Sequence, residues 1–204
     1  MPREAGNMTY IQIDNTPLHI GVLALQGSID EHINHISSLG HIPVKVRTSN
    51  DLDNLDRLII PGGESTTIGN ILRGTGLLDS LKDKISKGLK VWGTCAGMIL
   101  LAKEIENETI SHLSLMDIKV KRNAYGNQLD SFITYTKINE VSPNNLELVF
   151  IRAPYISEIS DKVTILCKID ENIVAAKENN MLVTSFHPEL TSDTTFLKYF
   201  IETF

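Results

Sequence analysis

The sequence predicts a three-layer α/β domain: a mostly parallel central sheet flanked by helices, extended by antiparallel or mixed strands. Two kinds of segment carry that expectation. Short apolar runs closed by glycine turns, at residues 19–25 and 55–60, fit strands buried on both faces. Between them Ile29, Ile33, Ile36 and Leu39 recur at helical spacing. Their alternation with short connections is the pattern of a parallel, doubly wound sheet.

The elements follow in order. Residues 1–18 are polar up to Pro17 and read as a poorly ordered N-terminal extension, with Tyr10-Ile11-Gln12-Ile13 as a candidate edge strand. Residues 19–204 then form one domain. Its first strand ends at Gln26-Gly27, and Gly40 is placed to stop the first helix. Val44 and Val46 mark a second strand; residues 55–60 form a third, ended by Pro61-Gly62-Gly63. Helices are expected over 65–73 and 77–87, with Gly88 after the second. A fourth strand over 89–92 runs into Gly93-Thr94-Cys95-Ala96-Gly97, and residues 98–105 read as a helix. Beyond these, strand-like runs dominate: 115–121, 131–138, 146–151, 163–169, 173–176 and 181–185. A last helix near 193–203 carries Phe196, Leu197, Phe200 and Ile201.

A chain of 204 residues can bury a continuous core without disulfides or metal staples. Nineteen Lys and Arg against 25 Asp and Glu give a net charge of −6, which argues against a nucleic-acid surface. Two cysteines, Cys95 and Cys167, do not make a secreted disulfide scaffold, although one bridge is arithmetically possible. No apolar run approaches the roughly 20 residues that span a bilayer, and the N-terminus lacks the apolar stretch of a signal peptide. The expectation is a cytoplasmic protein without membrane contact. No His, Cys or acid cluster has metal-ligand spacing.

Gly93-Thr94-Cys95-Ala96-Gly97 is the most informative segment. A strand, a sharp turn and a helix around G-x-nucleophile-x-G form an elbow, here with Cys in place of Ser. Glycines allow the close approach such a turn demands. The helix start beside the sulfur favours a thiolate, and the Ala96 N–H is placed to donate to an oxyanion. A lone cysteine is more often a packed, inert residue; the surrounding pentapeptide is what favours catalysis. Cys167 lies in an ordinary strand-like run, where core packing is its expected role.

A thiol nucleophile needs a base, and the base an orienting group. Of six histidines, His32, His35, His41 and His112 read as surface helix or turn residues, and His19 as structural. His187 ends an apolar strand and precedes Pro188-Glu189. Proline restricts that backbone, and in an extended segment Glu189 projects to the same side as His187. An isolated His-Pro-Glu would be an unremarkable strand end; the Cys95 elbow upstream favours a triad.

Pro61-Gly62-Gly63-Glu64-Ser65 is a glycine turn after a strand. Its backbone N–H groups suit an oxyanion hole, or it is simply a turn with Ser65 as helix N-cap. Arg122 and Arg152 follow strand-like runs. A guanidinium at a strand end can capture a carboxylate, although a plain surface arginine is the commoner case.

These motifs, in this order and spacing, resemble the class I (triad) glutamine amidotransferases, whose fold is flavodoxin-like. The resemblance is closer to the glutaminase subunit of pyridoxal 5′-phosphate synthase. It rests on Gly21-Val22-Leu23-Ala24-Leu25-Gln26-Gly27, Pro61-Gly62-Gly63-Glu64-Ser65-Thr66-Thr67 and Trp92-Gly93-Thr94-Cys95-Ala96-Gly97. Further blocks are Arg122-Asn123, Tyr125-Gly126, Asp130-Ser131-Phe132, Ile151-Arg152-Ala153-Pro154 and Ser185-Phe186-His187-Pro188-Glu189-Leu190. The triad motifs are shared across many amidotransferases; the Gly-Glu-Ser-Thr-Thr and Ile-Arg-Ala-Pro blocks point to the vitamin B6 branch.

The resemblance implies hydrolysis of L-glutamine to L-glutamate and ammonia through a γ-glutamyl thioester on Cys95, with no cofactor. His187 would be the base and Glu189 its orienting acid, with Gly63 and Ala96 as the oxyanion hole. Gly63, Glu64, Ser65, Arg122, Ile151 and Arg152 would hold glutamine, and Gln26 would lie in a loop near the active site and partner surface. Ammonia would pass through a tunnel to a (β/α)8-barrel synthase subunit in a large hetero-oligomeric ring, and the glutaminase would be near-silent alone. Rival expectations are a glutaminase serving purine, histidine or tryptophan synthesis, a cysteine peptidase or glyoxalase of the elbow-cysteine type, and a catalytically dead binding subunit.

Overall fold

The computed structural model describes residues 16–122 and 131–204. The candidate strand at Tyr10-Ile11-Gln12-Ile13 and the blocks containing Asn123, Tyr125-Gly126 and Asp130 lie outside the described residues. The first half alternates as its sequence pattern predicts. β1 (His19–Leu23), α1 (Ile29–Ser38), β2 (Ile42–Val46) and β3 (Arg57–Ile60) are followed by α2 (Ser65–Thr75) and α3 (Leu77–Ser86). Then come β4 (Lys90–Thr94) and α4 (Ala96–Leu101). Gly40 takes a left-handed φ of 81° just past α1, as the stop signal required.

The second half is strand-rich: β5 (Ala102–Ile105), β6 (Met116–Lys121), β7 (Ser131–Lys137), β8 (Asn145–Ile151) and β9 (Tyr155–Ile159). β10 (Thr164–Ile169), β11 (Asn172–Glu178), β12 (Met181–Thr184) and α5 (Thr195–Lys198) complete it, with α5 continuing as a π-helical turn over Tyr199–Thr203. The main sheet runs β2-β1-β3-β4-β12-β11-β9-β6-β5, with β10 on β11, and β7 and β8 form a separate hairpin. The β2-β1-β3-β4-β12 portion is parallel. The pairings β12-β11, β11-β9 and β9-β6 are antiparallel, which makes the extension mixed.

Alternation along the parallel strands explains why they are continuously apolar. Leu58 and Ile60 enter one buried cluster with Leu72, Leu81 and Ile85 of α2 and α3. Ile59 faces the other cluster with Ile20, Ile36, Phe196 and Phe200. Each strand residue therefore meets a helix layer on one side or the other. Among the described residues, no helix is long and apolar enough to cross a membrane.

Three local expectations are corrected. The segment 98–105 is not one helix: Ala102 turns to an extended backbone (φ −61°, ψ 140°), and β5 pairs in parallel with β6. Residues 102–105 carry the charged Lys103 and Glu104, and the edge of the sheet claimed them as a strand. β9 had no counterpart among the expected strands; it bridges β11 and β6. The N-cap of α2 is Glu64 rather than Ser65, because the longer carboxylate reaches the free N–H groups of Thr66 and Thr67 at 3.0 and 2.7 Å.

Candidate active site

Adjacent parallel strands deliver the candidate residues to one edge of the sheet. Ile60 pairs with Gly93, and Thr94 with Thr184, so the segments after β3, β4 and β12 emerge side by side at their carboxyl ends. That edge is where open α/β sheets bind ligands. Cys95 sits in the sharp turn between β4 and α4 with φ 48° and ψ −102°, a strained backbone for a side-chain-bearing residue. Its N–H is held by the Thr184 carbonyl at 2.7 Å. A Cβ on Gly97 would stand 2.1 Å from the Ile60 carbonyl oxygen, so α4 starts hard against the end of β3. The elbow expected from the pentapeptide is present, with Cys95 buried at 7% exposure and lining the cavity at the end of the sheet.

His187 and Glu189 meet as expected, by a different backbone. Pro188–Leu190 form a 3-10 turn rather than an extended segment, and this folds Glu189 back under the ring. The His187 Nδ1 to Glu189 Oε1 distance is 2.7 Å, with the two side chains 8% and 0% exposed. Burial opposes charge on His187, but hydrogen bonds to Cys95 and Glu189 overcome it and raise the imidazole to about 10. Burial opposes the Glu189 charge too, yet His32 and His187 beside it keep that carboxyl below its usual range. The arrangement is an imidazolium between a sulfur and a carboxylate. Gly62 makes room for it: a Cβ there would stand 2.4 Å from His187 Cε1.

A cavity of about 520 Å³ opens beside Cys95. Gln26, Gly63, Glu64, Ser65, Ala96, Arg122, Ile151 and Arg152 all line it, so the structure gathers every sequence-derived candidate at one site. The Gln26 side chain accepts from the Glu64 N–H at 2.9 Å and so ties its loop to the glycine turn. Arg122 forks between Glu64 at 3.1 Å, Glu108 at 2.9 Å and the Thr66 hydroxyl at 3.1 Å. Burial works against the Glu64 charge, but the Thr66 and Thr67 donors pull its carboxyl down to about 2. The Ile151 carbonyl lies 3.9 Å from the Cys95 sulfur. Arg152, exposed, follows it with φ 42°.

The model of the SNO glutamine amidotransferase family matches residues 22–204. The chain belongs to that family. Relatives named pyridoxal 5′-phosphate synthase subunit PdxT, from Clostridium beijerinckii and Clostridium acetobutylicum, are 59% and 56% identical over 185 residues. Those matches cover 91% of this chain and 97% and 100% of the relatives. A solved structure described as a glutamine amidotransferase superposes with a TM-score of 0.85 at 39% identity, covering 90% of this chain and 97% of that one. PurLQS from Thermotoga maritima superposes at 0.62 with 14% identity, covering 87% and 90% of the two chains, a likeness of fold alone.

Two histidines of this glutamine amidotransferase are not where the sequence put them. His32 is 1% exposed and lies behind Glu189, and His112 is 4% exposed against Gly69 and Arg73. For His32 a signal existed: it is three residues from Ile29 and four from Ile36, on the apolar face of α1. His112 sits in irregular chain, where no periodicity announces burial. Both cysteines are free, and burial pushes the Cys167 thiol up to about 11, consistent with a packed, unreactive side chain.

Proposed function

We propose that this chain is the glutaminase subunit of a pyridoxal 5′-phosphate synthase, hydrolysing L-glutamine through a γ-glutamyl thioester on Cys95. The observation that carries the reading is the strained Cys95 elbow facing the buried His187–Glu189 pair at the mouth of the cavity.

The Cys95 thiolate attacks the side-chain carbonyl carbon of glutamine, and the carbonyl electron pair moves to oxygen. The backbone N–H groups of Gly63 and Ala96 receive that oxyanion. The tetrahedral species collapses, the C–N bond breaks, and the proton held by His187 goes to the departing nitrogen, giving ammonia and the thioester. Water then loses a proton to His187 and attacks the thioester; the C–S bond breaks, releasing glutamate and restoring the thiolate–imidazolium pair. Glu189 keeps the proton-bearing Nδ1 turned toward itself, leaving the other ring nitrogen for this traffic. Glu64, Ser65, Arg122, Ile151 and Arg152 surround the glutamine backbone, with Arg122 and Glu64 supplying opposite charges for its carboxylate and ammonium.

The product ammonia is consumed by a synthase subunit that builds pyridoxal 5′-phosphate. That partner is a (β/α)8 barrel arranged in a ring, and the Gln26 loop lies toward it. Names and high identity of the PdxT relatives support the link to a pyridoxal 5′-phosphate synthase; the barrel, the ring and the Gln26 contact rest on the family resemblance. The test is glutamate release by the chain alone and with the synthase subunit added. Stimulation by the partner, abolished in Cys95→Ala by roughly a thousandfold or more, is the expected result. Activity surviving Cys95→Ala would falsify the thioester route; activity indifferent to the partner would detach the chain from this pathway.

A further inference from the structure

Glu189 has two carboxylate oxygens, and the triad uses one. Oε1 lies on His187; Oε2 is buried and has no hydrogen-bond partner among the described residues. The atom facing it is Nε2 of His32, at 3.6 Å, and that nitrogen is likewise buried and without a hydrogen-bond partner among the described residues. Both side chains are shut off from water, at 2% and 0% exposure. Two orphaned polar atoms pointed at each other in a dry pocket are each costly alone and mutually satisfying together.

We propose that His32 is a positioning residue for this enzyme, holding the second oxygen of Glu189 so that the first stays on His187. The inference rests on the triad assigned above and extends it to a line of four: Cys95, His187, Glu189, His32.

The surroundings suit a neutral donor. The His32 ring stands edge-on to Trp92 with centroids 6.0 Å apart, which fixes its plane. Trp92 is in turn anchored through its indole N–H to Thr184 at 3.1 Å, so the ring rests on the strand pair that carries Cys95 and leads into His187. The charged and titratable groups around it are Glu189, His35, His187 and Glu31; burial outweighs the attraction of the two acids, and His32 is held below the ordinary histidine range. A neutral imidazole carries one ring proton, and on Nε2 that proton points at Glu189. It satisfies the carboxylate without supplying a second cation to compete with His187. That bond requires this 3.6 Å separation to shorten to hydrogen-bond length.

The experiment measures kcat and KM for glutamate release from L-glutamine, with the synthase subunit present. Variants are His32→Phe, which keeps a ring but no donor, and His32→Gln, whose amide nitrogen reaches the place of Nε2. Glu189→Gln and the His32→Phe/Glu189→Gln double variant complete a cycle, and thermal unfolding verifies folding. Expected are a fall in kcat on the order of tenfold for His32→Phe with KM nearly unchanged, recovery in His32→Gln, and no further loss when His32→Phe is added to Glu189→Gln. Should the Phe ring prevent folding, His32→Leu makes the same donorless comparison. Wild-type kcat in the donorless variant, an equal defect in His32→Gln, or losses that simply add in the double variant would each overturn the proposal. Cys95→Ala separates the two readings. If it retains activity, the triad itself is wrong; if it is dead while His32→Phe is normal, only the role of His32 falls.

Discussion

Gly62 carries no side chain because the His187 ring occupies the space one would fill, at 2.4 Å from a hypothetical Cβ. Gly62→Ala must therefore push either the glycine turn or the imidazole. A displacement near 1 Å at the reacting groups is enough to lower kcat about a hundredfold. Steady-state kinetics of Gly62→Ala with the partner present should show that loss with the fold intact by circular dichroism; an unchanged kcat would mean the ring is not where catalysis needs it. Where the candidate residues would gather was legible through local motifs: Cys95 by its flanking glycines, and His187 with Glu189 by their nearness in sequence, although a 3-10 turn and not an extended segment brings that pair together. His32 was harder to see because its role depends on an element far away in the chain. It reads as a surface helix residue although its spacing from Ile29 and Ile36 puts it on the apolar face of α1, and nothing near it in sequence says that a carboxylate waits there.

At the scale of elements, the site is held by contacts between strand ends rather than by loops. Gly97 lets the start of α4 touch the Ile60 carbonyl at what would be 2.1 Å from a Cβ. Gly97→Ala should force the helix off β3 and cost about 1–3 kcal/mol, read as a lowered midpoint in denaturant titration. On the opposite face, Phe196 of α5 stacks on Trp92 at 5.2 Å and meets Phe186 edge-on at 5.4 Å. Phe196→Ala, at a site 3% exposed, should cost roughly 3–5 kcal/mol, measured the same way. Elements with a clean period were readable from sequence: β1, α1, α2, α3 and β4 form where the pattern placed them. The failures share a cause. β5 follows α4 directly, with exposed Lys103 and Glu104, and becomes a strand because β6 offers it an edge. β9 has a weak pattern, exposed from Ser157 onward, and exists because it bridges β6 and β11. Such partners are tertiary facts that no local window contains.

For the whole molecule, the buried ion pair makes stability depend on pH. His187 is raised from 6.5 to about 10, so the folded state binds its proton more tightly than the unfolded chain. Its contribution is complete below pH 6.5 and is lost as pH rises toward about 10. Melting temperatures of the wild type and His187→Gln, compared across that window, should converge on the alkaline side; a gap constant with pH would show that His187 titrates normally. The sheet order carries a different consequence. β12, far from β4 in sequence, inserts between β4 and β11 at the heart of the sheet and leads into His187 beside Cys95. Contacts so distant in sequence form late in folding. The candidate site is therefore complete only once β12 has docked against β4.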